Sequence, residues 1–100
     1  MTSAFLSRLA TAQSLLLADG AMGTMLHTRG VTFNTCFDAL NLSDPATVAE
    51  VHHAYVDAGS DVILANTFGA NRYKLDEHGL RDQVDAINRA GVELARRVVL

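Results

Sequence analysis

SLLLADGAMGTM (Ser14–Met25) and DVILANTFGAN (Asp61–Asn71) end in the same way. In each stretch a short apolar run is followed at once by polar residues and glycine. Runs that are apolar at every position are typical of strands covered on both faces, as in parallel α/β sheets. Ligand sites in such sheets lie at the carboxyl ends of the strands. The sequence therefore predicts an α/β fold in which both stretches deliver polar groups to one edge.

A helix is predicted between these two strands. Ser43 or Asp44 is a suitable cap, and Pro45 suits the first turn. Gly59 is a suitable end for the same helix. A strand, a crossover helix and a second parallel strand form a right-handed βαβ unit.

Other helices are predicted around this unit. Residues 1–13 predict a short amphipathic helix, and residues 72–78 a short helix capped by Asn71. A long helix is predicted from Asp82 to the end of the chain. Gly91 lies inside that helix, where glycine costs about 1 kcal/mol relative to alanine, and indicates close approach of another backbone. Residues 31–41 show no clean periodicity and predict an irregular excursion.

The composition excludes several classes of protein. The chain has 100 residues, of which 49% are apolar, and a net charge of −3. This acidic balance argues against nucleic-acid binding, which normally needs a basic surface. No run reaches the roughly 18 apolar residues that a membrane span requires. Cys36 is the only cysteine, so an internal disulfide is excluded and a reducing, cytoplasmic location is predicted.

Asp19, Gly20 and Gly23 are the first candidate site residues. Asp19 directly follows an apolar run, and its carboxylate could either contact a ligand or fix the turn through backbone N–H groups. The glycines allow a tight turn or close approach of a ligand. The pattern matches neither the dinucleotide fingerprint nor a P-loop. An alternative function is a small phosphate- or nucleotide-binding module that uses the Gly20/Gly23 turn.

Asn66, Thr67 and Phe68 are the second group of candidate site residues. Asn66 and Thr67 offer hydrogen-bond donors and acceptors at the end of the second predicted strand, and Phe68 offers an apolar wall. The adjacent histidines His52 and His53 point in different directions on their helix. They therefore lack the geometry of a helical zinc pair, and a structural role is favoured.

Three stretches together resemble the amino-terminal part of the homocysteine S-methyltransferase family. They are LLADGAMGTML (16–26), LNLSDPATVAEVHHAYVDAGSDVILANTFGANRYKL (40–75) and INRAGVELAR (87–96). The family includes the homocysteine-binding domain of cobalamin-dependent methionine synthase and the fusions with methylenetetrahydrofolate reductase. The resemblance implies that residues 1–100 are the amino-terminal part of a homocysteine-binding domain. It implies the first two βα units of an eight-stranded β/α (TIM) barrel, which is incomplete in this chain.

The resemblance also implies a reaction, in which a methyl group passes to the sulfur of homocysteine and gives methionine. In the family, zinc held by cysteines binds that sulfur, and metal coordination converts a thiol into its nucleophilic thiolate. The family's zinc cysteines are expected beyond Leu100, so no metal ligand is expected in this segment. Cobalamin or folate would act through other domains.

The same resemblance assigns the substrate-binding residues. It places Asp19, Gly20, Gly23 and the run 66–68 beside homocysteine. The full-length protein is then a methyltransferase, whereas this 100-residue fragment alone is expected to be inactive. A further interpretation is that the chain self-associates through exposed apolar faces.

Overall fold

The computed structural model describes residues 3–11 and 15–100. Within these ranges the chain forms six α-helices and one short 3-10 helix. The α-helices are α1 (Ala4–Thr11), α2 (Gly23–Thr28), α3 (Leu40–Ser43), α4 (Pro45–Asp57), α5 (Arg72–Asp76) and α6 (Val84–Val99), and the 3-10 helix spans Arg81–Gln83. No helix in the described ranges is long and apolar enough to cross a membrane.

The predicted fold class is wrong. The described residues are 58% helical and only 2% strand, and they contain no sheet, so the chain is not two βα units of a TIM barrel. The two apolar runs do lie side by side, as a first segment (residues 15–20) and a second segment (residues 61–65). Their pairing in the described part of the chain is a single parallel bridge between Ala18 and Val62. Ser14, where the first strand was predicted to begin, lies outside the described residues.

Side-chain carboxylates add hydrogen bonds between the two segments on either side of the bridge. The N–H of Leu17 donates to Asp61 Oδ2 at 2.9 Å, and the N–H of Leu64 donates to Asp19 Oδ2 at 3.0 Å. Aspartate side chains that bind nearby backbone groups compete with regular secondary structure. Each of these N–H groups is therefore satisfied without a further ladder bond, and the bridge does not extend into a sheet.

The assumption that both faces of the apolar runs are covered also fails. Leu15 is 95% exposed and Leu64 is 69% exposed. Because apolar and polar residues do not alternate in the two runs, the sequence predicted burial of both faces. Helices cover only part of these segments, and the remaining leucine side chains face solvent.

The helix between the two segments, α4, has the cap, the first-turn proline and the terminal glycine that the sequence predicts. Asp44 caps α4, because its carboxylate accepts from the N–H of Thr47 at 3.4 Å and from the Thr47 hydroxyl at 2.7 Å. Pro45 occupies the first turn. Gly59 follows the end of the helix with φ of +106°, a left-handed conformation that favours glycine.

The later helices also begin near their predicted starts. Asn71 caps α5 by accepting from the N–H of Lys74 at 3.0 Å. The long helix α6 begins at Val84, after the 3-10 turn that contains Asp82. The four-residue helix α3, which lies at the end of the expected excursion over residues 31–41, was not predicted.

The first helix is capped at its start and held by an ion pair from its middle. Ser3 Oγ accepts from the N–H of Leu6 at 3.4 Å, and Arg8 forms an ion pair with Asp61 at 3.1 Å. Of the helix predicted over 1–13, residues 1, 2, 12 and 13 lie outside the described residues.

Two apolar clusters hold the helices together and position the ends of the segments. The larger cluster joins α2, α3, α4 and α6 through buried Leu26, Leu40, Val48, Val51 and Leu94. The smaller cluster joins α5 to the start of α6 through Ala70, Leu75 and Ile87. Since a buried aliphatic side chain contributes roughly 1.5–3 kcal/mol, these helix contacts supply the main stabilisation of the described fold.

Candidate functional site

A cavity of about 170 Å³ lies where the two segments end. Its walls are formed by Asp19, Gly20, Met22 and the run 64–68. Five of the six candidate residues predicted from the sequence, namely Asp19, Gly20, Asn66, Thr67 and Phe68, therefore line one cavity, and Gly23 does not. Drug-sized ligands occupy larger pockets, of about 300–1,000 Å³. The cavity is therefore smaller than these pockets.

Asp19 provides the carboxylate of this cavity and also links the two segments. Its Oδ2 accepts from the N–H of Leu64, and its backbone N–H donates to the carbonyl of Val62 at 2.9 Å. Its other oxygen, Oδ1, is buried and has no hydrogen-bond partner among the described residues. The Asp19 carboxylate thus bonds to the backbone of the second segment rather than to that of its own turn, and it lines the cavity.

The two glycines of the first turn permit close packing on aromatic rings. A methyl group at Gly20 would lie 3.0 Å from the hydroxyl oxygen of Tyr55, and one at Gly23 would lie 2.9 Å from the ring of Phe37. The Tyr55 hydroxyl donates to the carbonyl of Ala21 at 2.7 Å, which anchors the turn to α4. Neither glycine has a positive φ. Their role in this structure is close approach of protein side chains.

Asn66 is held by the protein through the NH₂ group of its amide. Its NH₂ group donates to the carbonyl of Phe37 and to Asn41 Oδ1, each at 3.0 Å. The residue is only 7% exposed. Both amide hydrogens are therefore committed to the scaffold, and Asn66 shapes the cavity wall rather than offering a free donor to a ligand.

Asn41 is a second buried asparagine, which sequence reasoning missed. Its NH₂ group donates to the carbonyls of Asn66 at 2.8 Å and Ile87 at 3.1 Å. It therefore ties the end of the second segment to α6. The only signal in the sequence was a polar residue between Leu40 and Leu42, which does not reveal distant partners.

Gly91 provides the space that this asparagine pair needs. A methyl group at Gly91 would lie 2.6 Å from Asn41 Nδ2, 2.9 Å from Thr67 Cγ2 and 3.2 Å from the carbonyl oxygen of Asn66. The prediction that Gly91 marks close approach of another backbone is confirmed. The glycine lets α6 pass directly behind the cavity wall.

Thr67 and Phe68 complete the wall. Thr67 is half-buried, and its backbone N–H donates to the carbonyl of Ala65 at 2.9 Å in a tight turn. Phe68 is fully exposed. The ring of Phe68 therefore offers apolar surface to a ligand without being buried in the protein itself.

Asp38 supports the same turn from the far side. Its Oδ2 accepts from the N–H of Gly69 at 3.0 Å, and a methyl group at Gly69 would lie 2.8 Å from Asp38 Oδ1. Burial raises the pKa of the Asp38 carboxyl above its usual 3.8, although the Gly69 N–H and the charge of His78 oppose the rise. Asp38 was not among the residues predicted from the sequence.

The described residues do not form a metal site. No group of three or more histidine, cysteine, aspartate or glutamate side chains in residues 3–11 and 15–100 is arranged to hold a metal ion. Cys36 is half-buried in a separate cavity of about 190 Å³, which Asp38 and His78 also line. Structural zinc normally needs four such ligands and catalytic zinc three, so the residues present do not fit the zinc that the resemblance implies.

The phosphate-binding alternative gains no support from the geometry. Helix α2 begins at Gly23 and has only six residues, and Gly23 packs against Phe37. Gly20 shares its cavity with the Asp19 carboxylate. A negative charge at this position would repel a phosphate group.

The sequence of this chain is similar to those of known proteins over most of its length. The family model for homocysteine S-methyltransferase matches residues 16–99. The methionine synthase of Mycobacterium leprae is 33% identical over 93 residues, covering 87% of this chain and 8% of the relative. The methionine synthase of Mycobacterium tuberculosis is 33% identical over 92 residues, covering 86% of this chain and 8% of the relative.

The matched region contains the first segment from Leu16 onward, the whole second segment and every residue that lines the cavity. The chain spans less than a tenth of the length of these relatives. The family match covers most of the chain, and the chain belongs to the homocysteine S-methyltransferase family.

Proposed function

We propose that this chain forms part of the homocysteine-binding wall of a methyltransferase that converts homocysteine to methionine. The reaction moves a methyl group from a donor to the homocysteine sulfur, and the thiol proton leaves. The substrate wall consists of Asp19, Gly20 and the run 66–68. A cytoplasmic location belongs to the same proposal.

The observation that carries the proposal is the convergence of these residues on one small cavity. They come from two stretches more than 40 residues apart, and both stretches lie within the region that the family model matches. The cavity combines a carboxylate, a threonine and an exposed aromatic ring. This set suits an amino acid, because a carboxylate attracts its ammonium group and Phe68 contacts its aliphatic part.

Gly23 has an indirect part in this proposal. It does not line the cavity, but its close packing on Phe37 sets where α2 begins. Phe37 in turn provides the carbonyl that holds the Asn66 amide. Gly23 therefore supports the substrate wall from behind.

In this proposal the described residues contribute to substrate binding, and none of them is assigned to activation of the sulfur. They contain no ligand set for zinc, so no step of the reaction is assigned to a metal. Likewise, no described residue is assigned to binding of the methyl donor, whether this is cobalamin, folate or another carrier. We therefore expect the 100-residue chain alone to bind no zinc tightly and to form no methionine.

The proposal is tested by amide NMR of the chain titrated with L-homocysteine at millimolar concentrations. Resonances of Leu64–Gly69 should shift, and those of α5 should not. The Asp19→Asn variant should bind more weakly because it lacks the negative charge. The matched control is Asp61→Asn, since Asp61 makes the equivalent bond to the other segment but lies outside the cavity.

Two results would overturn the proposal. One is the absence of any shift at the cavity residues in the wild-type chain. The other is an equal loss of affinity in Asp19→Asn and Asp61→Asn, which would reflect general loosening of the two segments. A parallel titration with inorganic phosphate tests the alternative function, which requires shifts at Gly20 and Gly23.

A further inference from the structure

His52 is a titratable side chain buried completely inside the fold. It lies on α4 and has 0% exposure, and neither of its ring nitrogens has a hydrogen-bond partner among the described residues. A neutral imidazole carries one N–H donor and one acceptor nitrogen. Since buried polar groups are normally paired, the two unpaired nitrogens call for an explanation.

Asp19 has the complementary unpaired atom. Its Oδ1 is buried and accepts no hydrogen bond from the described residues, while Oδ2 is held by the N–H of Leu64. Asp19 and His52 are the two residues with such orphaned side-chain atoms in the described part of the chain. Asp19 Oδ1 lacks a hydrogen-bond donor, and a ring N–H of His52 can supply one.

The packing of α4 brings these two residues to the same region. Tyr55 lies three residues after His52 and therefore on the same face of the helix. Its hydroxyl donates to the carbonyl of Ala21 at 2.7 Å, and a methyl group added at Gly20 would lie 3.0 Å from the same hydroxyl oxygen. The face of α4 that carries His52 thus packs against the turn that follows Asp19.

The electrostatics agree with this placement. Burial lowers the pKa of His52 below its usual 6.5, the negative charge of Asp19 opposes that decrease, and the charge of His53 adds to it. The imidazole is therefore neutral at neutral pH and retains one N–H. Asp19 is close enough to His52 for its charge to act on the ring.

We propose that His52 is a positioning residue, whose ring N–H holds Asp19 Oδ1 through one buried water molecule. With Oδ2 already fixed by Leu64, the carboxylate is then held at both oxygens. An oriented carboxylate presents a defined negative charge to the ammonium group of an amino-acid ligand. This last consequence rests on the proposed function, whereas the link between His52 and Asp19 does not.

The link is tested first by ¹⁵N NMR of the histidine rings. In the wild-type chain the His52 ring should be neutral with a single tautomer, because one nitrogen donates to the water that Asp19 holds. Asp19→Asn should change the ring shifts and lower the pKa of His52 further, since an opposing negative charge is lost. Asp61→Asn should leave the ring unchanged. Unchanged His52 resonances in Asp19→Asn would refute the link.

The consequence for binding is tested by two substitutions of similar volume. His52→Leu keeps apolar bulk but removes the donor, and homocysteine affinity should fall about tenfold, which corresponds to about 1.4 kcal/mol. His52→Gln keeps a donor and should bind within about twofold of the wild type. Equal affinity of His52→Leu and wild type, or equal loss in both variants, would contradict the positioning role.

These measurements separate the two proposals. If the wild-type chain does not bind homocysteine, the proposed function fails, and the ring spectra still decide whether His52 holds Asp19. If His52→Leu does not fold, as judged by circular dichroism, the ring spectra and His52→Gln decide the question. A merely structural histidine would show no dependence of its tautomer on Asp19.

Discussion

Asp19 and Asp61 bind the two segments to each other in opposite directions. Asp19, on the first segment, accepts from the N–H of Leu64 on the second. Asp61, at the start of the second segment, accepts from the N–H of Leu17 on the first. The bridge between Ala18 and Val62 lies between these two bonds. The carboxylates therefore fix the relative position of the segments at both ends, and only Asp19 also lines the cavity.

This arrangement predicts a crosswise pattern of amide hydrogen exchange. Asp19→Ala should accelerate exchange at Leu64 and leave Leu17 protected, and Asp61→Ala should do the reverse. Loss of a hydrogen bond to a charged group costs about 1.5–3 kcal/mol, and we expect Asp19→Ala to approach this range because Asp19 is half-buried. Uniform acceleration at both amides in either variant would show that the bonds do not act separately.

The ion pair between Arg8 and Asp61 predicts a measurable titration shift. The pKa of Asp61 lies below 3.8, first because of the bond from the Leu17 N–H and then because of Arg8. Arg8→Gln should raise this pKa partway toward 3.8, as followed by carboxyl ¹³C NMR. Arg89→Gln, a change at an arginine of α6, is the control and should have no effect. A fall in the Asp61 pKa in Arg8→Gln would be inconsistent with the ion pair.

The sign of the pH effect follows from the direction of this shift. Because the folded-state pKa is lower than the unfolded-state value of about 3.9, Asp61 stabilises the fold above that pH. The contribution is lost as the pH falls through the folded-state pKa. Acidification should therefore weaken the bonds of Asp61 to Arg8 and to the Leu17 N–H, seen as a lower protection factor for exchange at Leu17.

Asp38 predicts the opposite pH dependence. Its pKa is raised by burial, so its proton is bound more tightly in the folded state. Its contribution to stability is therefore greatest below the unfolded-state pKa and declines as the pH rises through the folded-state value. Asp38→Asn can still accept from the Gly69 N–H but does not ionise.

Urea denaturation at a series of pH values tests this prediction. The free energy of unfolding of Asp38→Asn, minus that of the wild type, should increase between about pH 4 and neutrality. The comparison cancels the titration of groups that both proteins share. A difference that stays constant with pH would show that the Asp38 pKa is the same in both states.

Helix ends could be predicted from the sequence because their determinants are local. Asp44 and Asn71 bond to N–H groups three residues away, and Gly59 adopts its left-handed conformation within its own residue. The wrong fold class had a different cause. An apolar run such as 62–65 does not reveal whether other parts of the protein cover both of its faces. Leu64 is exposed, so one face of this run is open to solvent.

The candidate site was predicted only in part, for a similar reason. Asp19 and the run 66–68 follow apolar runs directly, so position in the sequence was informative. Asn41 was missed because its two partners, Asn66 and Ile87, lie 25 and 46 residues away. Residues that organise the wall through distant contacts carry no local pattern.

Asn41 provides a direct test of how the wall is held. Asn41→Asp keeps the oxygen that accepts from Asn66 but removes the donor to the carbonyls of Asn66 and Ile87. It also places a buried carboxylate beside those carbonyl oxygens. We expect a loss of at least about 1–3 kcal/mol in the free energy of unfolding, the cost of unpaired buried polar groups. Asn34→Asp, at an exposed loop position, is the control and should change stability little.

Gly91 gives the sharpest test of the packing behind the cavity. On helix propensity alone, Gly91→Ala should stabilise α6 by about 1 kcal/mol. The added methyl group would instead lie 2.6 Å from Asn41 Nδ2 and 3.2 Å from the Asn66 carbonyl oxygen. Overpacking of this kind costs about 1–3 kcal/mol, so we expect net destabilisation.

The control for this variant is Arg89→Ala. Residue 89 is exposed on the same helix, and arginine and alanine have similar helix propensity. Chemical denaturation of both variants should show a loss of stability for Gly91→Ala only. Amide NMR should also show shifts at Asn66 and Thr67, because α6 must move away from the wall to accommodate the methyl group. A gain in stability with unchanged shifts at these two residues would mean that α6 does not pass close behind the cavity.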